Sequence, residues 1–369
     1  MNAKILAYAL LSLAPLTAAA DLPLDRLSLP EGFAISVYAE VDNARQMSRS
    51  DGGVLYVGSR RAGKVHAVID SNGDHVADRV ILIDDNLNLP SGLTWHDGDL
   101  YVAAVSTIYR YRDIDQHLDD PPTPEIVTDD FPTDRHHGWK FIEFGPDGKL
   151  YVPVGAPCNI CAPEEPYATI VRMDVDNPGA REIVARGVRN SVGFDWDPAT
   201  GDLWFTDNGR DHMGDYEPPC ELNHVSEAGQ HFGYPYFHGN SIADPEFGGQ
   251  GKPASAYREP ALALGPHTAP LGMIFYTGNM LPTPYHGDVL LAEHGSWNRS
   301  EEAGHIGYRL VHARSDDEGG LHYDVFVEGW LNEDGSSWGR PVDLLQLDDG
   351  SLLVSDDVGD VIYRITYRK

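Results

Sequence analysis

The sequence predicts an all-β protein folded as a six-bladed β-propeller, and three observations carry that expectation. Gly and Pro together supply 64 of the 369 residues and break the chain into short runs rich in β-branched and aromatic side chains, a composition that favours strands. One phrase, a turn ending in Gly followed by a variable residue and an apolar strand, occurs six times, at Gly53, Gly98, Gly148, Gly201, Gly287 and Gly350. The copies are spaced by 45, 50, 53, 86 and 63 residues, and periods of roughly 40–50 residues holding several strands are a propeller signature. Such a sheet cannot bury both faces alone, whereas radial stacking around an axis buries both and leaves only short edges. Helical periodicity is weak throughout the chain beyond its N-terminus, so an α/β fold is a poor reading.

The elements follow in chain order. Lys4, the apolar stretch Ile5 to Leu16 and the small residues Ala18 to Ala20 read as a signal peptide over residues 1–20, cleaved before Asp21. The apolar stretch is too short to span a bilayer comfortably, and no later apolar run approaches eighteen residues. The remaining chain, 21–369, is expected to form a single propeller without a membrane span, secreted or periplasmic. Phe33 to Tyr38 alternates like an edge strand and is placed in the last blade, closing the ring. Each repeat strand from the second copy on is preceded by another, as at Gly92–Trp95, Trp139–Ile142, Val192–Trp196, Gly272–Tyr276 and Val342–Leu345. Most are followed by a further strand, as at Lys64–Val68, Ile108–Arg112, Ile170–Met173, Tyr308–Val311 and Ile362–Ile365. The long step between the fourth and fifth copies, about residues 210–265, must hold inserted loops.

Charge narrows the partners. Against 27 Lys and Arg stand 57 Asp and Glu, a formal charge of −30; such a surface repels polyphosphate, so nucleic acid is excluded and anionic membranes are disfavoured. The three cysteines are Cys158, Cys161 and Cys220. Ala162 follows the Cys-x-x-Cys pair where a c-type haem needs His, and a zinc site lacks its second pair. A structural disulfide is the better reading in an oxidising compartment. The local Cys158–Cys161 bond is slightly favoured, although Cys220, in the equivalent loop of the next repeat, could pair with either.

Two motifs are set aside. Residues 335–339, GSSWG, match the serine-hydrolase elbow, but no His follows His322 to complete a triad. Asp70, Asn72, Asp74 and Asp78 resemble a short calcium loop, yet His75 replaces the turn glycine and the terminal Glu is missing; a plain polar turn is preferred. No Gly-rich phosphate cradle or zinc helix motif is present.

Four polar loops beside tight turns remain: Arg135–Gly138, Gly187–Asn190, Asn208–Asp211 and Gly339–Pro341. His137, Arg189 and Arg340 precede their repeat glycines by eleven, twelve and ten residues. Similar offsets mean similar heights on the propeller, so these side chains are expected to ring one pocket. A His with two Arg suits a general base beside an anion clamp; the competing reading is that they satisfy loop carbonyls.

The phrases HHGWKFIEFGPDGKLYVPVGAPCNIC, GVRNSVGFDWDPATGDLWFTDNGRD, ELNHV, FGYPY, HTAPLGMIFY and HGSWNR resemble the glucose/sorbosone dehydrogenase family over nearly the whole mature chain, its L-sorbosone dehydrogenase branch most of all. That family consists of soluble six-bladed quinoproteins using pyrroloquinoline quinone (PQQ) and Ca2+. The resemblance implies oxidation of a sugar hydroxyl or aldehyde, with a small-molecule sugar substrate and an external electron acceptor (a quinone, dye or cytochrome). It implies His137 as catalytic base, Arg189 and Asn190 as quinone contacts with Arg189 also catalytic, Arg340 as a cofactor arginine, and the carbonyls of Gly209 and Arg210 as calcium ligands. Two positions depart from the family pattern: Val342 stands where a second cofactor arginine belongs, and Cys220 where an acidic residue is common. A lysine that glucose-oxidising members carry near Tyr276 and Thr277 is not found. A calcium-dependent six-bladed hydrolase, lactonase-like, is the alternative on the same fold, and a non-catalytic binding scaffold is a further one.

Overall fold

The fold follows from how each repeat glycine turns the chain. In a computed structural model, which describes residues 22–239, 241–316 and 319–368, all six lie at φ between +72° and +91°. A side chain resists that region and Gly does not, so each marks the tight turn between the first and second strands of a blade. The expected signal segment lies outside the described residues.

Blade 1 comprises Ala44–Arg49, Leu55–Ser59, Val65–Ile69 and Arg79–Asp84; blade 2 comprises Gly92–His96, Asp99–Ala103, Ile108–Tyr111 and Glu125–Thr128. Blade 3 is Glu143–Phe144, Leu150–Val154, Thr169–Met173 and Arg181–Arg186, and blade 4 is Phe194–Trp196, Leu203–Asp207, Pro219–Val225 and Leu262–Pro266. Blade 5 is Pro270–Phe275, Val289–Glu293, Arg309–Ser315 and Leu321–Glu328. Blade 6 takes Pro341–Gln346, Leu352–Asp356 and Val361–Tyr367 from the C-terminus and Phe33–Glu40 from the N-terminus. The two ends pair antiparallel from Phe33 opposite Tyr367 to Glu40 opposite Val361, which is the expected closure. Among the described residues the only helical turns are four short 3-10 segments, and no helix is long and apolar enough to cross a membrane.

The long step of the repeat resolves into two pieces. A loop runs from Asn208 to the third strand of blade 4, and an insertion over 226–261 precedes the fourth. Gln230–His231 of that insertion pairs parallel with Arg181–Arg186, adding a fifth strand to blade 3. The Asp70–Asp78 loop is a self-capped turn: Asp70 accepts from the amides of Gly73 and His75, and Asp78 from the Ser71 amide and hydroxyl. Residues 335–339 form part of the turn into blade 6, with no strand-to-helix elbow.

Alternation along the second strands fills the spaces between blades. Leu100 and Val102 pack toward blade 1, while Tyr101 and Ala103 pack toward blade 3. That is the period of two expected of a strand buried on both faces. The first strands surround the axis, and polar side chains join them. Gln46 of blade 1 accepts from the amides of Leu93 and Ile142 and donates to the Ile142 carbonyl, reaching blades 2 and 3. Asp343 accepts from the Met47 amide at 2.8 Å across the closure seam, and Asp195 from the Phe275 amide at 2.7 Å.

Burial along this axis pushes the carboxyls of Asp195, Asp343 and Glu143 up to about 6, 7 and 8. Folded values above the unfolded ones mean that the unfolded chain ionises first. Their stabilising contribution is therefore complete below about pH 4 and lost as pH rises through 6 to 8. Glu143→Gln is expected to raise the thermal midpoint at pH 8 and to flatten its decline between pH 5 and 8. Thermal melts of the two proteins across that range check this, and parallel curves would refute it.

Candidate active site

The chain enters each first strand and leaves each second strand at the same end of the axis, so loops far apart in sequence meet there. They enclose a cavity of about 720 Å³, within the usual size of small-molecule sites. His137, Arg189, Asn190, Gly209 and Arg340 all line it. Arg210 belongs to the same loop, but its guanidinium turns away to pair with Asp244 and Glu246 of the insertion. The carbonyl oxygens of Gly209 and Arg210 accept no hydrogen bond from the described residues.

His137 is buried and has φ +50°. Its Nδ1 lies 2.9 Å from the Ala156 carbonyl. A carbonyl can only accept, so Nδ1 carries the hydrogen and Nε2 keeps its lone pair. Burial, then the Arg189 charge, holds this imidazole well below its ordinary 6.5, so it is neutral at physiological pH. The backbone of Gly155 passes so close that a Cβ there would lie 2.6 Å from the His137 Cβ. His136 is exposed, its ring 4.1 Å from that of His137.

Arg189 is almost fully committed to the protein. Nε donates to the Asn159 carbonyl, Nη1 to the Asn208 carbonyl, and Nη2 to Asn159 Oδ1 and Asp211 Oδ2, at 2.8–3.1 Å. Of its five N–H groups, one on Nη1 remains for a ligand. Asp207 holds the adjoining backbone, accepting from the amides of Arg189 and Asn190. Arg340 is fixed from outside by donation to the carbonyls of His294 and Gly295 and by the Tyr308 ring.

Three further arginines from blade 1 face these groups: Arg45, Arg60 and Arg61. Arg45 pairs with Asp357 at 3.0 Å, and Asp357 also accepts from His294 Nε2 at 2.7 Å. Arg60 stacks over Trp139 at 3.7 Å; burial, and after it the charge of Arg45, pushes it down to about 10. Among the described residues, Arg60, Arg61, Arg135 and Arg340 have no carboxylate partner, although Arg45 and Arg189 do. Sequence reasoning missed the blade 1 arginines. The available signal was positional, since Arg60 and Arg61 follow the second strand of blade 1 as Asn208 and Gly209 follow that of blade 4. Val342 is buried with Val192 and Leu271, an apolar packing role where a second arginine had been sought.

The glucose/sorbosone dehydrogenase family matches residues 109–294, half of the chain. This chain belongs to that family. A relative in Borreliella burgdorferi, itself uncharacterised, is 31% identical and aligns over 96% of this chain and 94% of its own length. Among solved structures, the fold is similar to the PQQ domain of a pyranose dehydrogenase from Coprinopsis cinerea in its holo form, with TM-score 0.76, 19% identity and coverage of 92% and 97% of the two chains. A calcium structure of a family AA12 carbohydrate-active enzyme from Trichoderma reesei gives TM-score 0.81 at 18% identity, covering 95% and 100%. The PQQ-bound aldose sugar dehydrogenase of Streptomyces coelicolor gives 0.65 at 18%, covering 92% and 100%.

Cys158 and Cys161 are bonded to each other, and Cys220 is free, buried and against the cavity. Thiol counting checks this arrangement. Native protein should expose no reactive thiol, unfolded unreduced protein one at Cys220, and reduced protein three. Two or more reactive thiols before reduction would contradict the pairing.

Proposed function

We propose that this family member is a PQQ-dependent sugar dehydrogenase, exported to the periplasm or beyond, that oxidises a sugar hydroxyl or aldehyde and passes electrons to an external acceptor. The observation that carries the reading is the set of arginines without carboxylate partners. In a chain of net charge −30, four cations face one cavity with no carboxylate to pair with. Arg60 and Arg340 are partly buried there and Arg61 and Arg135 are exposed at its rim; partly buried charge without a partner is costly, so the cavity suits a small ligand bearing several carboxylates. PQQ, a tricarboxylate, fits that donor set. Arg340, Arg60, Arg61 and Arg135 would hold its carboxylates, and Arg189 and Asn190 would contact its ring system. The free carbonyls of Gly209 and Arg210 are hard oxygen donors suited to Ca2+. When bound, the pair supplies a hydride acceptor made more electrophilic by the metal.

The chain's own part is orientation and proton transfer. His137 Nε2 takes the proton of the substrate hydroxyl as hydride leaves the same carbon. Its neutrality comes from burial, and its tautomer from Ala156. The remaining Nη1 hydrogen of Arg189 is preorganised for negative charge developing on the acceptor, because the other donors are already spent on the protein. A calcium hydrolase on this fold would need several carboxylate or amide side chains around the metal. The one carboxylate among the residues lining this cavity, Asp211, is already paired with Arg189, which favours the quinone reading.

Reduction of an artificial dye by aldoses or sorbosone-type sugars should require both PQQ and Ca2+. Hydrolysis of lactones without dye reduction over a broad sugar panel would sink the reading. His137→Ala should retain PQQ and lose about 100- to 10,000-fold in turnover, the usual cost of a general base, whereas His136→Ala should stay near wild type. A dead His136→Ala beside an active His137→Ala would transfer the role to the neighbour. The base must be neutral to accept a proton, so kcat/KM should fall only as pH drops below the lowered value of His137. The acid limb should therefore lie well below 6.5, and a limb at or above 6.5 would count against His137.

A further inference from the structure

The groups that meet in the cavity are tied together by a residue that does not line it. Asn159 sits between Cys158 and Cys161, in the irregular segment after Leu150–Val154. Its carbonyl accepts from Arg189 Nε at 2.9 Å. Its Oδ1 accepts from both Arg189 Nη2 and the Asp211 amide, each at 2.8 Å, and its Nδ2 donates to the Asp211 carbonyl at 3.0 Å. One residue of blade 3 thus grips the loop entering blade 4 and the segment leaving its second strand. Three residues earlier, Ala156 donates to the Arg189 carbonyl at 2.9 Å while accepting from His137.

No strand pairing fixes this segment. The disulfide closes it, and Tyr234 of the insertion buttresses it. The Tyr234 hydroxyl accepts from the Cys161 amide at 3.1 Å and lies 3.4 Å from the Cys158 sulfur. Cys158 and Ile160 pack on Ala156, Ala168 and Tyr234.

We propose that Asn159 is the positioning residue of this site, setting Arg189 and the Asn208–Asp211 segment in one geometry, and that the Cys158–Cys161 bond holds Asn159 in place. The consequence for PQQ affinity rests on the quinone reading; the ordering of Asp211 does not. Partners one layer outside a ligand shell typically matter by about 10- to 100-fold in affinity or activity.

The test uses the whole protein as wild type, Asn159→Ala, Asn159→Asp and the double variant Cys158→Ser/Cys161→Ser. Without any ligand, hydrogen exchange of the peptide spanning 208–211 should be faster in Asn159→Ala, because the Asp211 amide loses its acceptor. It should return toward wild type in Asn159→Asp, which keeps that acceptor. The double serine variant should shift in the same direction as Asn159→Ala. With PQQ and Ca2+ added, tryptophan quenching should report about 10- to 100-fold weaker PQQ binding for Asn159→Ala. Wild-type exchange or wild-type PQQ affinity in Asn159→Ala overturns the positioning role, and unchanged exchange in the double serine variant overturns the part given to the disulfide. If wild-type protein fails to bind PQQ, the quinone reading falls, and the ligand-free exchange still decides the role of Asn159.

Discussion

Closure of the ring is the constraint on which the remaining structure depends. A radial stack buries both faces of every blade only if the first and last blades meet. Here the meeting is covalently awkward, because the chain must return to its own start. Pairing Phe33–Glu40 with Val361–Tyr367 solves this by building one blade from both termini. Asp343 to Met47 and Arg45 to Asp357 then cross the seam between blades 6 and 1. The same seam sets Arg45, Arg60 and Arg61 beside Arg340. The basic wall of the cavity is thus a product of closure, assembled from residues nearly three hundred positions apart.

The opposite wall depends on backbone more than on side chains. The Ala156 carbonyl sets the His137 tautomer, the Ala156 amide holds the Arg189 carbonyl, and the Gly155 backbone packs closely against the His137 side chain. Groups held this way need little reorganisation when charge develops nearby, which is where preorganised donors do most for a reaction. The insertion over 226–261 serves the same end from outside. Asp244 and Glu246 draw away the Arg210 side chain, while Tyr234 braces the disulfide loop.

The electrostatics work at two ranges. The acidic exterior sets the field beyond a Debye length of about 8 Å at physiological salt and discourages polyanions. At the cavity the arginines dominate, because charges at short range are poorly screened where Arg60 and Arg340 are partly buried. A neutral sugar feels little of the outer field.

Sequence alone determined the blade count, most of the inner strands and the closing strand, because these rest on local signals, but not the first strand of blade 1 or the outermost strands of blades 1 to 5. A glycine at positive φ, an alternating strand and a regular period are properties of neighbouring residues. It also brought His137, Arg189 and Arg340 to one place, since similar offsets within a repeat mean similar heights in a blade, while Asn190 and Gly209 came from the family resemblance. The tertiary structure decided what no offset encodes. Which His is buried with its Nδ1 occupied and which arginines lack a carboxylate partner depend on segments brought together by the fold, whereas the Cys158–Cys161 bond is local and was the favoured reading of the sequence. Arg60 and Arg61 escaped notice because their role exists only across the seam. Asn159 escaped because a single carboxamide in an irregular loop has no pattern until the two segments it joins are brought to either side of it.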